Sequence, residues 1–204
     1  MFITFEGIEG SGKTTQAKLL YQWLIDSGKE ALFTREPGGT PAAEEIREFI
    51  LTEREEPFPE NAELFLYMAA RSFHVENFIK PALENGTTVI SDRFSDATIA
   101  YQGFGRGIPV EKIEYLNSIA TKGLKPNITF LIDIPVEEGL RRIKKRKLDR
   151  IEKEAVEFHQ RVREGYLQIA KREPDRVVVI DGRKKVEEIF EIIKTTIERK
   201  ADAV

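Results

Sequence analysis

Residues 7–14 read Gly-Ile-Glu-Gly-Ser-Gly-Lys-Thr and match the phosphate-binding pattern GxxxxGK[ST] in full. Glycines in such a loop let main-chain N–H groups close around phosphate oxygens, and the helix that follows adds partial positive charge. Lys13 is expected to reach the β- and γ-phosphates of a nucleotide, and Thr14 to offer its hydroxyl to Mg²⁺. The loop therefore predicts the binding of a nucleoside triphosphate. The residues expected to contact its phosphates are Gly7, Ile8, Glu9, Gly10, Ser11, Gly12, Lys13, Thr14 and Thr15.

Two arginines follow apolar runs further along the chain, where strands are expected to end. Arg35 leads into the segment Glu-Pro-Gly-Gly-Thr, and Arg93 follows Asp92. The carboxyl ends of parallel strands face the ligand crevice, so both side chains should converge beside the phosphate-binding loop. A guanidinium fits the oxygens of a phosphate group, so these arginines would hold an anionic acceptor. This combination predicts a phosphotransferase.

Other nucleotide-binding classes lack support in the sequence. The chain contains no Asn-Lys-x-Asp segment that could read guanine, and no Asp-x-x-Gly segment after a predicted strand. A motor or ATPase module usually ends an apolar strand with a pair of acidic residues, whereas the strand that ends near Asp133 offers one. A switch or a motor is therefore less favoured than a kinase.

The elements that must position these residues alternate along the chain. Short apolar runs rich in β-branched and aromatic residues predict strands at 2–6, 30–35, 87–92, 128–134 and 176–181. Amphipathic stretches between them predict helices at 13–27, 61–84 and 110–122. This pattern predicts an α/β fold in which five parallel strands form a doubly wound sheet flanked by helices. We expect one domain over residues 1–204, with one excursion at about 141–154.

The composition excludes several other kinds of protein. The 204 residues include no cysteine, which rules out disulfides, zinc–thiolate sites and thiol catalysis. The longest stretch without a charged residue has nine positions, 97–105, and is too short for a membrane-spanning helix. A net charge of −3 argues against broad nucleic-acid binding. We therefore expect a cytoplasmic protein with neither nucleic acid nor membrane as a partner.

Several further motifs resemble those of bacterial thymidylate kinases, a family of nucleoside monophosphate kinases with a phosphate-binding loop. The resemblance runs from about residue 2 to residue 172. It includes Arg-Glu-Pro-Gly-Gly-Thr at 35–40, Ala-Ala-Arg at 69–71, Asp-Arg-Phe at 92–94, Ala-Tyr-Gln-Gly at 100–103 and Leu-Asp-Arg-Ile-Glu at 148–152. The resemblance implies transfer of the ATP γ-phosphate to dTMP by a Mg²⁺-dependent homodimer. Another nucleoside monophosphate kinase, or a regulatory module without turnover, remains the alternative.

The resemblance also implies roles for individual residues around the acceptor. Glu9 would approach the 3′-hydroxyl, Arg35 and Arg93 would bind the acceptor phosphate, and Asp92 would lie near the metal. The residues implied to contact the thymidine part of dTMP are Tyr67 by stacking on the base, Arg71 by a hydrogen bond to a thymine carbonyl, Thr98 and Gln102 near the base, and Tyr101 against the 2′-position. Tyr67 and Arg71 are four residues apart and so share one helix face.

The excursion contains seven basic residues within 141–150. Such a run is usually a solvated helix face, but in the family this region forms a mobile lid. A closing lid would bring arginine onto the transferred phosphoryl group and exclude water. We expect Arg146 and Arg150 jointly, in preference to Arg142, to supply that charge, because the phosphate-binding loop contains no arginine. Asp149 and Glu152 would orient the arginine or the water around Mg²⁺. His74 and His159 are interpreted as ordinary helix residues.

Overall fold

The computed structural model describes residues 1–144 and 147–201 and contains one parallel sheet. Its strands are β1 (Phe2–Glu6), β2 (Ala31–Arg35), β3 (Thr88–Asp92), β4 (Ile128–Asp133) and β5 (Val177–Asp181). They lie side by side in the order β2-β3-β1-β4-β5, and every neighbouring pair is parallel. The predicted five-stranded doubly wound sheet is therefore confirmed, and each strand lies within one residue of its predicted bounds.

Helices connect the strands and cover both faces of the sheet. They are α1 (Lys13–Asp26), α2 (Pro41–Leu51), α3 (Glu60–His74), α4 (Lys80–Glu84), α5 (Ser95–Thr98), α6 (Val110–Thr121), α7 (Val136–Ile143), α8 (Val156–Arg172) and α9 (Val186–Ala201). α1 and α9 pack on one face, where Ile3, Phe130 and Ile193 are fully buried. Burial on both faces explains why the strands read as continuous apolar runs.

The predicted helix over 61–84 is not a single α-helix. Between α3 and α4 lies a turn of π-helix, Val75–Ile79, and a second π-helical segment, Ile99–Gly105, follows α5. The apolar periodicity over 61–84 did not reveal the first of these two segments, because one extra residue per turn barely changes an apolar pattern. The second π-helical segment contains Tyr101 and Gln102, so the irregular turn orients two of the expected site residues. In the described part of the chain, helix length and hydropathy leave no candidate for a membrane span.

Candidate active site

A cavity of about 510 Å³ opens at the carboxyl ends of β1, β2 and β3. The phosphate-binding loop forms one end, and α3 with the second π-helical segment forms the other. The expected site residues that line it are Glu9, Gly10, Gly12, Lys13, Thr14, Thr15, Arg35, Tyr67, Arg71, Asp92, Arg93, Thr98, Tyr101, Gln102, Asp149 and Glu152. Gly7, Ile8 and Ser11 belong to the same loop but are not among the lining residues in the described part of the chain.

The phosphate-binding loop packs too tightly to accept side chains at two of its glycines. Gly7 and Gly10 have φ values of 140° and 73°. A Cβ atom on Gly7 would lie 2.5 Å from the carbonyl oxygen of Ile132, and one on Gly10 would lie 2.4 Å from that of Gly139. Backbone oxygens cannot move aside easily, so glycine is required at both positions. This packing lets α1 begin at Lys13 and point its N-terminus at the cavity.

Lys13 and Thr14 follow the loop and meet Asp92 at the end of β3. Lys13 is buried, and this burial lowers the pKa of its ammonium. The nearby charge of Arg93 lowers the pKa further. The carboxylates of Asp92 and Glu9 raise it, but they do not outweigh the other two causes. The Thr14 hydroxyl donates a hydrogen bond to Oδ2 of Asp92, while Oδ1 of Asp92 is buried without a hydrogen-bond partner in the described residues. A hydroxyl and a carboxylate oxygen thus lie together beside the loop.

Arg93 joins the phosphate-binding loop to the second π-helical segment and to α8. Its backbone is left-handed, with φ at 74°. Nη1 donates to the carbonyl oxygen of Gly7 at 2.9 Å and to the hydroxyl of Tyr166 at 2.8 Å. Nη2 donates to Glu9 at 2.7 Å and to the hydroxyl of Tyr101 at 3.0 Å. The guanidinium is therefore held in one orientation before any ligand binds.

Glu9 stays ionised within this cluster despite its burial. Burial alone would raise the pKa of its carboxyl, but the charges of Arg93 and Lys13 and a hydrogen bond from Tyr101 outweigh it, so the pKa is lowered. The Tyr101 hydroxyl lies 2.7 Å from both carboxylate oxygens of Glu9. The side chain of Glu9 is thus a fixed hydrogen-bond acceptor at the cavity wall.

Arg71 occupies the far wall and is 2% exposed. Nε donates to Glu36 at 2.8 Å, Nη1 to Thr98 at 2.9 Å and to Asn117 at 2.7 Å, and Nη2 to the carbonyl oxygen of Phe94 at 3.0 Å. Nη1 also contacts Sδ of Met68 at 3.9 Å. A guanidinium has five N–H donors, and these contacts leave one N–H of Nη2 for a ligand.

The other residues expected at the acceptor end differ in how firmly they are held. Tyr67 lies one helical turn before Arg71 on α3 and lines the cavity, as predicted from their spacing. Gln102 is buried, and its Nε2 donates to Glu63 at 2.9 Å. Arg35 is about half exposed and pairs with Glu44 on α2 at 2.7 Å. Arg35 is therefore the most solvent-accessible of the arginines at this cavity.

The excursion contributes the acidic residues Asp149 and Glu152 to the cavity, while its Arg150 makes contacts elsewhere. The Asp149 carboxylate accepts hydrogen bonds from the main-chain N–H groups of Ile151 and Glu152, and its own N–H donates to the Glu152 carboxylate. Arg150 has no contact with the phosphate-binding loop among the described residues: it donates to Glu63 at 2.6 Å and to the carbonyl oxygen of Ile50 at 2.9 Å, and it is not a lining residue. Arg146 lies outside the described residues.

The sequence did not single out several residues that hold the expected ones. Glu36 binds Arg71, Glu63 binds Gln102 and Arg150, and the Tyr166 hydroxyl bridges Arg93 and Glu6. His74, interpreted as an ordinary helix residue, is fully buried, with both ring nitrogens in hydrogen bonds. Its spacing of three residues from Arg71 was a usable signal, because such residues share a helix face. Tyr166 and Glu63 had no local signal.

The donor set suits a magnesium ion that shares its ligands with phosphate. In residues 1–144 and 147–201 no group of three or more histidines and acidic residues forms a metal cage. Mg²⁺ characteristically binds one or two protein oxygens together with phosphates and water instead. The Thr14 hydroxyl and the unpartnered Oδ1 of Asp92 fit that requirement.

Both the sequence and the fold are similar to those of known proteins. A family model described as thymidylate kinase matches residues 5–193. The thymidylate kinase of Sulfurihydrogenibium sp. (strain YO3AOP1) is 52% identical over 200 residues, which cover 98% of each chain. That of Geotalea daltonii is 50% identical over 204 residues, covering 96% of this chain and 95% of the relative. A crystal structure of thymidylate kinase from Ehrlichia chaffeensis superposes with a TM-score of 0.78 at 39% identity, covering 96% of this chain and 98% of the other.

Proposed function

The chain belongs to the thymidylate kinase family and transfers the γ-phosphate of ATP to dTMP, giving dTDP and ADP, and we propose that the transfer takes place in the cavity described above. The observation that carries this proposal is the shape of that cavity: Lys13 of the phosphate-binding loop lies at one end, Tyr67 and Arg71 lie at the other, and Tyr101 contacts Glu9 between them. Another nucleoside monophosphate kinase or a silent regulatory module is not favoured, because the relatives are thymidylate kinases over nearly the full length.

At the donor end, the loop binds the ATP phosphates through main-chain N–H groups and the N-terminus of α1. Lys13 neutralises charge on the β- and γ-phosphates, and Arg93 stabilises the phosphoryl group between donor and acceptor. Support for the role of Arg93 comes from its contacts with Gly7 on the loop and with Tyr101 on the second π-helical segment, which place it between the two. Its four Nη contacts fix its orientation and leave the Nε–H as the donor for phosphate, so it needs no rearrangement if it acts through that N–H.

Mg²⁺ is the proposed metal, held by Thr14 and Asp92 and accompanied by Asp149 and Glu152. When bound, the ion draws charge from the phosphate oxygens and so favours transfer. Thr14 and Asp92 offer it oxygen atoms directly. Asp149 and Glu152 line the cavity and are proposed to orient water around the ion.

At the acceptor end, Arg35 and Arg93 bind the dTMP phosphate and Glu9 accepts a hydrogen bond from the 3′-hydroxyl. Tyr67 stacks on the base, Arg71 donates its remaining N–H to a thymine carbonyl, and Thr98 and Gln102 contact the base nearby. Tyr101 crowds the 2′-position, so deoxyribose is favoured. The half-exposed position of Arg35 fits this role, since its guanidinium is able to leave Glu44 for a phosphate.

A lid over about 141–154 is proposed to cover the site. Arg146 is the proposed source of transition-state charge, and Arg150 stands as a second candidate whose present contact is with Glu63. For Arg150 to act on phosphate it must release Glu63, which is 1% exposed. Glu63 would then keep Arg106 but lose the shorter of its two arginine contacts among the described residues, and weakening a buried ion pair is costly, so Arg146 is the better candidate of the two.

A homodimer is proposed from an apolar surface on α3 and α6. It consists of Phe65, Phe73, Tyr115 and Ile119, and Phe65 and Tyr115 are 58% and 68% exposed. Exposed apolar groups of this size are typical of protein interfaces. Sedimentation of the wild type and of Tyr115→Asp tests this: a dimer that dissociates in the variant is expected, and a monomeric wild type would contradict it.

A cytoplasmic location is proposed because ATP and dTMP are cytoplasmic metabolites.

The direct test measures ADP formation with Mg²⁺ and ATP in the presence of dTMP, dCMP, dUMP, dGMP or no acceptor. We expect rapid ADP formation with dTMP and little with the other acceptors or with none. Equal ADP formation in all conditions would contradict the proposed acceptor site. Repeating the dTMP assay with EDTA, and with the Asp92→Asn variant, tests the metal. Full activity in both experiments would contradict the proposed binding of Mg²⁺ by Thr14 and Asp92.

A further inference from the structure

His74 is the last residue of α3 and is 0% exposed. Its Nε2 lies 2.7 Å from the hydroxyl of Thr34 on β2, and its Nδ1 lies 3.0 Å from Oε1 of Glu36. A carboxylate only accepts hydrogen bonds, so Nδ1 carries the proton in this contact. The imidazole therefore joins α3 to β2 and to the loop that follows β2.

Glu36 divides its carboxylate between His74 and Arg71. Oε1 accepts from His74, while Oε2 accepts from Nε of Arg71 at 2.8 Å. Burial would raise the pKa of Glu36, but the charge of Arg71 and the hydrogen bond from His74 outweigh it and lower the pKa. With both oxygens engaged, the carboxylate cannot rotate without losing one of the two contacts.

The loop around Glu36 is closely packed on the imidazole ring. Gly39 has φ at 86°, and a Cβ atom there would lie 2.4 Å from Nε2 of His74 and 2.6 Å from the Thr34 hydroxyl. Pro37 in the same loop, and Arg35 at the end of β2, lie on the wall of the acceptor cavity. The ring therefore serves as the surface on which this loop is positioned.

We propose that His74 is a positioning residue for dTMP: by donating from Nδ1 to Glu36, it holds the carboxylate that orients the Arg71 guanidinium toward the base. The inference rests on the proposed acceptor site and adds a residue that does not line the cavity and does not touch the substrate. It predicts a specific effect on dTMP binding, because Arg71 acts on the acceptor and the donor loop has no contact with His74 in the described residues.

Two substitutions separate the two ring contacts of His74. The amide nitrogen of asparagine reaches about the position of Nδ1, and that of glutamine reaches about the position of Nε2. His74→Asn thus keeps the donor to Glu36 and loses the contact with Thr34, whereas His74→Gln does the reverse. Each variant loses one buried hydrogen bond, so they form a matched pair for stability.

The experiment measures kcat and both KM values for the wild type, His74→Asn, His74→Gln and Ile193→Ala, with thermal midpoints for all four. We expect His74→Gln to raise the dTMP KM by about tenfold or more, with kcat and the ATP KM within about threefold. His74→Asn should keep the dTMP KM within about threefold of the wild type. Ile193→Ala creates a cavity under α9, far from the acceptor end, and reports what loss of stability alone does.

Three results would overturn the proposal: an unchanged dTMP KM in His74→Gln, equal increases in both His74 variants, or the same increase in Ile193→Ala. Failure of the proposed function is a different result, since the wild type itself would then show no dTMP-dependent ADP formation. If the variants do not fold, NMR of the wild type decides. The chain has two histidines, and the Nδ1–H signal of His74 should shift on adding dTMP and not on adding ATP; no shift with dTMP would refute the inference.

Discussion

Lys13 and Arg71 are buried cations that line the same cavity, yet they differ in how many hydrogen-bond partners the protein provides. Arg71 makes hydrogen bonds to Glu36, Thr98, Asn117 and a main-chain carbonyl. The ammonium of Lys13 has no hydrogen bond or ion pair within the described residues, and burial lowers its pKa. The acceptor end is thus pre-organised by the protein, whereas the donor end has a cation that gains its partner from the ligand.

The difference follows from what each end must recognise. A base is uncharged and is distinguished by the direction of a few hydrogen bonds, so Arg71 must be held in one orientation. A triphosphate carries its own charge and, with Mg²⁺, supplies the missing partners when it binds. Substitutions at the two ends should therefore differ in their effects on turnover, on KM and on stability.

The largest effect is expected at the donor end. Lys13→Ala should lower kcat by about a thousandfold, because it removes charge stabilisation from the transferred phosphoryl group. The thermal midpoint should change by only a few degrees, since Lys13 has no direct ion pair to lose in the described part of the chain and Glu9 keeps its ion pair with Arg93. Kinetics and calorimetry check both expectations, with the exposed Lys29→Ala as the control. Turnover at the wild-type rate would refute the role of the phosphate-binding loop.

Substitutions of the two lid arginines should also differ in whether they affect turnover or stability. Arg146→Ala is expected to lower kcat by at least about a hundredfold with little change in the dTMP KM. Arg150→Ala leaves Glu63 with one arginine fewer and should mainly lower the thermal midpoint. Single-turnover kinetics on both variants and the double variant test this. Near-normal kcat in all three variants would indicate that the basic residues within 141–150 form a solvated surface without a role in the transfer.

At the acceptor end, Arg71→Ala should raise the dTMP KM about ten- to a hundredfold, with a smaller effect on the ATP KM. It should also cost about 3–5 kcal/mol of stability, because Glu36 remains buried without its cation. Steady-state kinetics and urea unfolding measure the two effects. A variant that loses stability without any change in the dTMP KM would show that Arg71 is structural only.

The smallest expected effect is on sugar selectivity. Tyr101→Ala should narrow the preference for dTMP over its ribose counterpart about five- to tenfold, because it opens space at the 2′-position. Tyr101→Phe keeps the ring but loses the hydroxyl contacts to Glu9 and Arg93, so it serves as the matched control. We expect Tyr101→Phe to retain the selectivity and to lower kcat moderately. Unchanged selectivity in Tyr101→Ala would show that the Tyr101 ring does not contact the 2′-position.

Local pattern was sufficient for the strands, for α1 and for the phosphate-binding loop. Each of these can be read from residues close in sequence: β-branched runs make strands, and Gly7, Gly10 and Lys13 belong to one eight-residue pattern, although the carbonyl oxygens that exclude a side chain at the two glycines are distant in sequence. Arg35 and Arg93 could be expected at the cavity because strand ends share one edge of a parallel sheet. The spacing of Tyr67 and Arg71 likewise indicated a shared helix face.

Only the tertiary structure decided which groups hold those residues. Glu36 meets Arg71 across 35 positions of sequence, Arg150 meets Glu63 across 87, and Tyr166 meets Glu6 across 160. The residue types of Arg146 and Arg150 are the same, and local pattern could not show that Arg150 pairs with a buried carboxylate. Short-range periodicity records which face of an element is apolar, whereas the partner of a buried charge depends on how distant elements pack.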